Sequence, residues 1–111
     1  MWMKEPDTSH LEVNVPDVDL AVSNDTHTVL DVREINEWHE GHIAEAVHIP
    51  LGELATRAAE LPAGKPVYTI CRSGKRSITA IGILESAGIR DARSMAGGMI
   101  AWHEAGKPMV G

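Results

Sequence analysis

Short apolar runs alternate with polar breaks from Leu11 to the end of the chain. Leu11, Val13 and Val15 alternate with polar residues, the period of a short edge strand. Pro16-Asp17 then opens a brief helix through Val18, Leu20 and Ala21, closed by the turn residues Ser23-Asn24-Asp25. Thr28-Val29-Leu30-Asp31-Val32 is largely apolar and predicts a central strand. A short helix follows, with Ile35 and Trp38 facing inward and Gly41 stopping it. Ala46-Val47-His48-Ile49 predicts a third strand, closed by Pro50. Leu51, Leu54, Ala58 and Leu61 mark an amphipathic helix, and Pro62-Ala63-Gly64-Lys65-Pro66 a turn. Val67-Tyr68-Thr69-Ile70 reads as a buried strand. Helical spacing of Ala80, Ile81, Leu84 and Ala87 follows it, over Ser77 to Ala87, with Gly88 as the C-terminal stop. Ala92-Arg93-Ser94-Met95 is a fifth strand. Gly97-Gly98 leads into a last helix, Met99 to Ala105.

Strands alternating with helices predict an α/β fold: a mainly parallel sheet with helices on both faces. The 111 residues suit one domain with a single modest core. Residues 1–9 read as a loose polar leader and residues 10–111 as the domain. In such a sheet, functional groups collect beyond the carboxyl ends of the strands. Two strand ends carry notable polar residues, Asp31-Val32-Arg33 and the segment after Ile70. If those two strands are neighbours, Asp31 and Arg33 lie within reach of that segment.

Composition changes this picture in two ways. A net charge of −6 argues against nucleic acid or an anionic membrane as partner. The single cysteine excludes an internal disulfide, a cysteine-rich zinc site and a two-cysteine redox motif. The first ten residues lack the apolar segment of a signal peptide, and no apolar run approaches membrane-spanning length, so the expected compartment is the cytoplasm.

That cysteine sits in Cys71-Arg72-Ser73-Gly74-Lys75-Arg76-Ser77, between a strand and a helix. Strand, tight polar loop and helix point backbone N–H groups inward and set a helix N-terminus beneath them, a cradle for an anion. A thiol placed there falls from about 8.5 into the range of roughly 3.5–7.5 found at helix N-termini and beside cations. A lone cysteine is more often structural. Here its place at a strand end, the following helix and the flanking cations favour a reactive thiolate. Arg72, Lys75 and Arg76 would converge with backbone amides on an anionic substrate, although Arg76, at the helix start, could equally turn outward. Ser73, Ser77 and Thr69 are candidates to hydrogen-bond the sulfur or its substrate, with helix capping the other role open to Ser77. Asp31 and Arg33 suit a supporting role, the aspartate tying down loop N–H groups and the arginine pairing with a carboxylate such as Glu34 or Glu37. Trp38 and Trp102 sit at helical core positions, and Trp102 is a candidate wall of the site.

The six histidines do not make a metal site. His39 and His42 are separated by Gly41, where the helix ends, and the spacing H-E-x-x-H is absent. His42 reads as a structural histidine and the others as surface residues. No metal or cofactor is expected.

Three segments together resemble the rhodanese-like domain of the single-domain sulfurtransferase type. They are Leu30-Asp31-Val32-Arg33-Glu34, running on to Gly41-His42-Ile43 and Ile49-Pro50-Leu51; the loop Cys71 to Ser77; and Gly97-Gly98-Met99-Ile100-Ala101-Trp102 with Gly106-Lys107-Pro108. The resemblance covers nearly the whole chain from Leu11 on. It implies a five-stranded parallel sheet flanked by helices, and a thiosulfate sulfurtransferase reaction. The Cys71 thiolate takes the outer sulfur of thiosulfate or a similar donor as a persulfide, then yields it to cyanide, a small thiol or a protein thiol. It also implies that Arg72 and Arg76 hold the anionic donor while N–H groups from Arg72 to Ser77 stabilise the persulfide. One departure is visible, Ala44-Glu45 after His42-Ile43, where the family more often has Pro-Gly.

Two rival functions fit less well. Cysteine-dependent phosphatases and arsenate reductases need a loop one residue longer, with arginine six positions after the cysteine; here that position is Ser77 and the arginine is at the fifth. A non-catalytic module that senses sulfur or docks a partner is the second rival; inactive members of the resembled family usually lack the cysteine, and this chain keeps it with an intact cationic loop. The sulfurtransferase reading requires that the thiol not be walled off inside the protein and that the surrounding N–H bonds aim at it.

Overall fold

The computed structural model describes residues 7–111. Five strands, all parallel, form one sheet: β1 (Glu12–Val13), β2 (Thr28–Asp31), β3 (Val47–His48), β4 (Val67–Ile70) and β5 (Ala92–Met95), in the order β1-β5-β4-β2-β3. The helices are α1 (Val15–Asn24), α2 (Ile35–Glu40), α3 (Leu54–Arg57), α4 (Lys75–Ser86) and α5 (Gly98–Glu104). The chain steps from β2 outward to β3 and from β4 outward the other way to β5. The β2/β4 boundary is therefore the point where the winding reverses, which in open parallel sheets opens a crevice at the strand ends.

Side chains alternate across the sheet, and this parity decides which face each residue joins. Leu30, Val32, Val67, Cys71 and Ala92 pack with Leu54, Ala58, Leu61, Ala80, Ile81 and Leu84 on the face covered by α3 and α4. Val29, Ile70 and Met95 pack with Val15, Val18, Met99 and Trp102 on the face covered by α1 and α5. Helices thus cover both faces, as the alternating pattern predicts.

Several boundaries differ from the sequence expectation for physical reasons. Val15 belongs to α1 rather than to the first strand, because Asn14 already turns the chain and its N–H donates to Asp17 Oδ2 at 2.9 Å. On α1 the buried positions are Val15, Val18 and Ala21, so Leu20 falls off the stripe and is 63% exposed. Ile35 is 53% exposed instead of facing inward, since it is the first residue of a six-residue helix. The expected helix from Leu51 to Leu61 is a single turn of α-helix flanked by 3-10 turns at Leu51–Glu53 and Ala58–Glu60. Leu51/Leu54 and Ala58/Leu61 are each three apart, the spacing a 3-10 turn aligns. The third strand shrinks to Val47–His48, although the Ile49 and Leu51 N–H groups go on donating to Asp31 and Val32. Helix α4 starts at Lys75, two residues early, and ends in a left-handed Gly88 with the Ile89 N–H reaching back to Leu84 O at 2.9 Å. Of the expected leader, residues 1–6 lie outside the described residues, and Ser9 already belongs to a 3-10 turn, Ser9–Leu11. Ala44-Glu45 still makes a turn, closed by the Ala46 N–H on Ile43 O at 2.9 Å. His27 and His48 are half-buried rather than on the surface, stacked on Tyr68 and Trp38 respectively. Among the described residues no helix is long and apolar enough to cross a membrane.

At the carboxyl end of β2, Asp31 is 1% exposed and Arg33 5%. The Arg33 guanidinium donates to both Asp31 oxygens, at 2.8 to 3.1 Å, and to the carbonyls of Gly41 and Glu37 at 2.8 and 3.3 Å. The Arg33 N–H closes the turn on Asp31 Oδ1 at 3.0 Å. Arg33 thus pairs with Asp31, two residues away, and not with Glu34 or Glu37; it fastens α2 to the sheet through carbonyls. Removing one partner of such a pair leaves an uncompensated buried charge, which costs about 3–5 kcal/mol. Asp31→Ala is therefore expected to lose about that much stability, read as a lower urea midpoint with an unchanged slope.

Candidate active site

Cys71 follows β4 directly, and alternation sends its side chain to the α4 face together with Thr69. Only Arg72, Ser73 and Gly74 separate it from α4, so Lys75, Arg76 and Ser77 form the first helical turn rather than part of a free loop. That turn has orphan N–H groups, and the chain bends back so sharply that they overlook the sulfur. Gly74 takes a left-handed conformation, φ 104°, and its N–H donates to Cys71 Sγ at 3.1 Å. The Ser77 hydroxyl lies 3.4 Å from Sγ and 2.6 Å from the Ser94 hydroxyl. With the sulfur ionised, Ser77 donates to it and accepts from Ser94. Burial pushes the Cys71 thiol up, but the Ser77 hydroxyl and the N–H groups of Ser77, Gly74 and Ser73 outweigh it, and the thiol titrates below its ordinary value.

The outer side of the loop is fixed by α5. Its Met99 and Ile100 N–H groups donate to the carbonyls of Cys71 and Arg72 at 2.9 and 3.1 Å. Holding the Arg72 carbonyl outward turns the Ser73 N–H, on the same peptide unit, toward the sulfur. The approach depends on Gly98 (φ 57°): a Cβ there would run into Cys71 O and lie 2.5 Å from the carbonyl carbon and oxygen of Arg72.

The two requirements set by the sequence divide here. The N–H groups aim at the sulfur, but Cys71 is only 1% exposed. The neighbouring cleft, about 310 Å³, is lined by Arg72, Arg33, Glu37, Met99 and His103 and stops short of Cys71. A larger cleft of about 500 Å³, between Ala58, Leu61, Lys65 and Ile89, lies at the amino ends of β4 and β5, away from the thiol. Burial alone would describe an inert cysteine; the hydrogen bonds directed at Sγ describe a stabilised thiolate.

The remaining sequence candidates are placed as follows. Arg72, Ser73 and Lys75 are exposed around the loop, and among the described residues Arg72 and Lys75 make no ion pair. Arg76 turns to Glu37 in a two-toothed pair, Nη1 to Oε1 at 2.7 Å and Nη2 to Oε2 at 2.8 Å. This hydrogen-bonded guanidinium holds the Glu37 carboxyl down at about 2, so the pair contributes fully above the ordinary carboxylate range and fades only as pH falls toward that value. Thr69 donates to Ser77 O at 2.8 Å and does not reach the sulfur. Asp31 and Arg33 support α2 and touch neither Cys71 nor the loop side chains in any hydrogen bond. Trp102 is not a wall of the site: α5 packs on the opposite face of the sheet, where Trp102 is 1% exposed in the second core and donates Nε1–H to Pro108 O at 2.9 Å.

Three contributors escape the sequence reading. Ser94 shares its face of β5 with Ala92, so alternation alone places it under α4. Gly98 is visible as a motif residue but not as a contact. Glu37 pairs with a residue 39 positions away and carries no local signal.

Ser77→Ala should raise the midpoint of thiolate formation, followed by the thiolate ultraviolet band, which one cysteine makes unambiguous; an unmoved midpoint would remove Ser77 from the account. Gly98→Ala should cost about 2 kcal/mol or more through backbone overlap and weaken the same depression of the thiol, as checked by urea unfolding and the same titration.

Comparison with known proteins supplies the family. Residues 15–105 match the rhodanese-like domain. The Bacillus subtilis protein YrkF is 37% identical over 95 residues, which cover 80% of this chain and 51% of YrkF, so the chain spans about half the length of that relative. A sulfurtransferase of Allochromatium vinosum is 36% identical over 88 residues, covering 78% of this chain and 82% of that protein. The crystal structure of a rhodanese-related protein from Thermoplasma volcanium superposes with a TM-score of 0.81 at 34% identity, covering 89% of this chain and 96% of the other. With its five parallel strands, helices on both faces and a cysteine loop beyond the central strand, the chain belongs to the rhodanese-like domain family.

Proposed function

We propose that this domain transfers sulfane sulfur through a persulfide on Cys71. The observation that carries the reading is the hydrogen-bonded sulfur itself: an N–H at 3.1 Å and a hydroxyl at 3.4 Å meet a thiol at the start of α4, where an anion is stabilised. Membership of the family and the name of the Allochromatium relative support sulfur transfer in general. Thiosulfate as donor, and cyanide or a small or protein thiol as acceptor, are our own finer assignment.

In the first half-reaction the Cys71 thiolate attacks the outer sulfur of thiosulfate. The new S–S bond forms as the old one breaks, and the bonding pair leaves with sulfite, so charge and atoms balance. Arg72 and Lys75, both exposed at the loop, draw the anionic donor in, and Arg76 contributes to the extent that Glu37 releases it. Ser73, Gly74 and Ser77 supply hydrogen bonds to the sulfur and then to the persulfide. In the second half-reaction an acceptor nucleophile attacks the outer sulfur of the persulfide and regenerates the thiolate, which is covalent catalysis by a ping-pong route. With one cysteine in the chain, discharge needs an external acceptor. Because Cys71 is 1% exposed, the reaction requires the loop, whose Arg72 and Ser73 are exposed, to give way over the sulfur. The free thiol suits the reducing cytoplasm.

Intact-protein mass spectrometry after thiosulfate treatment should show the gain of one sulfur in the wild type and none in Cys71→Ala, and thiocyanate formation with cyanide should vanish in the same variant. The fold should survive, at a cost of about 1 kcal/mol for the unpaired Gly74 N–H. Thiocyanate formation retained in Cys71→Ala would overturn the proposal, as would phosphotyrosine-analogue hydrolysis that disappears in Cys71→Ser.

A further inference from the structure

The sulfurtransferase site holds an ion pair that the reaction does not need. Arg76, in the first turn of α4 beside the thiolate, points both terminal nitrogens of its guanidinium at the Glu37 carboxylate, at 2.7 and 2.8 Å. Both side chains are partly exposed, 34% for Arg76 and 19% for Glu37, and Arg76 is near enough to Cys71 to feel its charge, so an anion brought up to the sulfur also meets the pair. The two-toothed geometry occupies the Nη1/Nη2 edge of the guanidinium, one of the two edges that can grip an oxyanion. Its charge is largely cancelled before any donor is bound. The adjoining cleft repeats the bias: Glu37, Glu40 and Glu104 line it against Arg72 and His103, while the Arg33 charge is already matched by Asp31. A donor carrying two negative charges must displace Glu37 or tolerate it. A donor carrying one meets a smaller penalty.

We propose that Glu37 is a specificity-determining residue, which by occupying Arg76 makes the site favour sulfur donors of low charge, such as thiosulfonate monoanions and alkyl persulfides, over dianions. This rests on the sulfurtransferase reading. Glu37 acts through Arg76 and touches no reacting atom, so it is a positioning residue. The neutral amide of Gln suits the test, because its oxygen can keep the contact that Glu37 Oε1 makes with the Glu34 N–H at 3.0 Å, which closes the first turn of α2.

The experiment compares thiosulfate with methanethiosulfonate, in which a methyl group replaces one charged oxygen. The outer sulfur is transferred in both, leaving sulfite in one case and methanesulfinate in the other. In Glu37→Gln the ratio of KM for thiosulfate to KM for methanethiosulfonate should fall about three- to fivefold, the discrimination of a half-exposed charge. The value of kcat should hold for both donors. In an Arg76→Ala background the same substitution should lower the ratio by clearly less, since only the carboxylate's own repulsion is removed and no guanidinium remains to be released. A ratio that stays constant or rises in Glu37→Gln, or that falls equally without Arg76, would overturn the assignment. Wild-type protein that gains sulfur from neither donor would instead overturn the sulfurtransferase reading and this assignment with it.

Discussion

Two hydrogen bonds from the start of α5 hold the site in shape. A peptide unit has one N–H and one C=O on opposite sides, so fixing where the carbonyl points fixes the amide as well. Met99 and Ile100 take the carbonyls of Cys71 and Arg72, and the Ser73 N–H, which shares its peptide unit with the Arg72 carbonyl, is turned toward the sulfur beside the Gly74 N–H. The two faces of the sheet meet at this point. Helix α5 belongs to the core of Val15, Val18 and Trp102, and Cys71 to the core of Leu30, Leu54 and Leu84. Packing on one side therefore sets the electrostatics on the other, and Gly98 is the residue that lets the two backbones come close enough.

The charges around the loop run against ordinary helix design. Cations at the first two positions of a helix oppose its dipole, yet Lys75 and Arg76 stand there in α4. Arg76 is raised first by its hydrogen bonds to Glu37, and also feels the negative charge of Cys71. The local cost is offset in one case by a carboxylate from α2, and is left open in the other. Departures of this sort from local preference gather where an anion is to be held. The same α2 is anchored from below, by Arg33 on the carbonyls of Glu37 and Gly41. The buried Asp31–Arg33 pair thus reaches the loop indirectly, by placing the helix that carries Glu37.

The sequence made legible whatever depends on neighbours along the chain. The strand before Cys71, the turn at Pro62 to Pro66, the helix stop at Gly88 and the thiol in an amide-lined bend all rest on local spacing or local chemistry, and each has its counterpart in the structure. The parallel sheet follows from the alternation of strands and helices. What stayed hidden depends on long-range partners: the Glu37–Arg76 pair, the grip of α5 on the loop, and the choice of Asp31 over Glu34 or Glu37 as the mate of Arg33. Trp102 shows the limit from another side. Helical spacing marked it correctly as a core residue, but not which of two cores it enters, and that choice takes it away from the thiol.

The outermost strands carry a different consequence. Among the described residues the border strands Glu12–Val13 and Val47–His48 are each two residues long, which leaves each border of the sheet a short ladder for another chain to extend. Main-chain pairing with another chain would find only a short template at these borders, whereas helices present most of the outer surface on both faces.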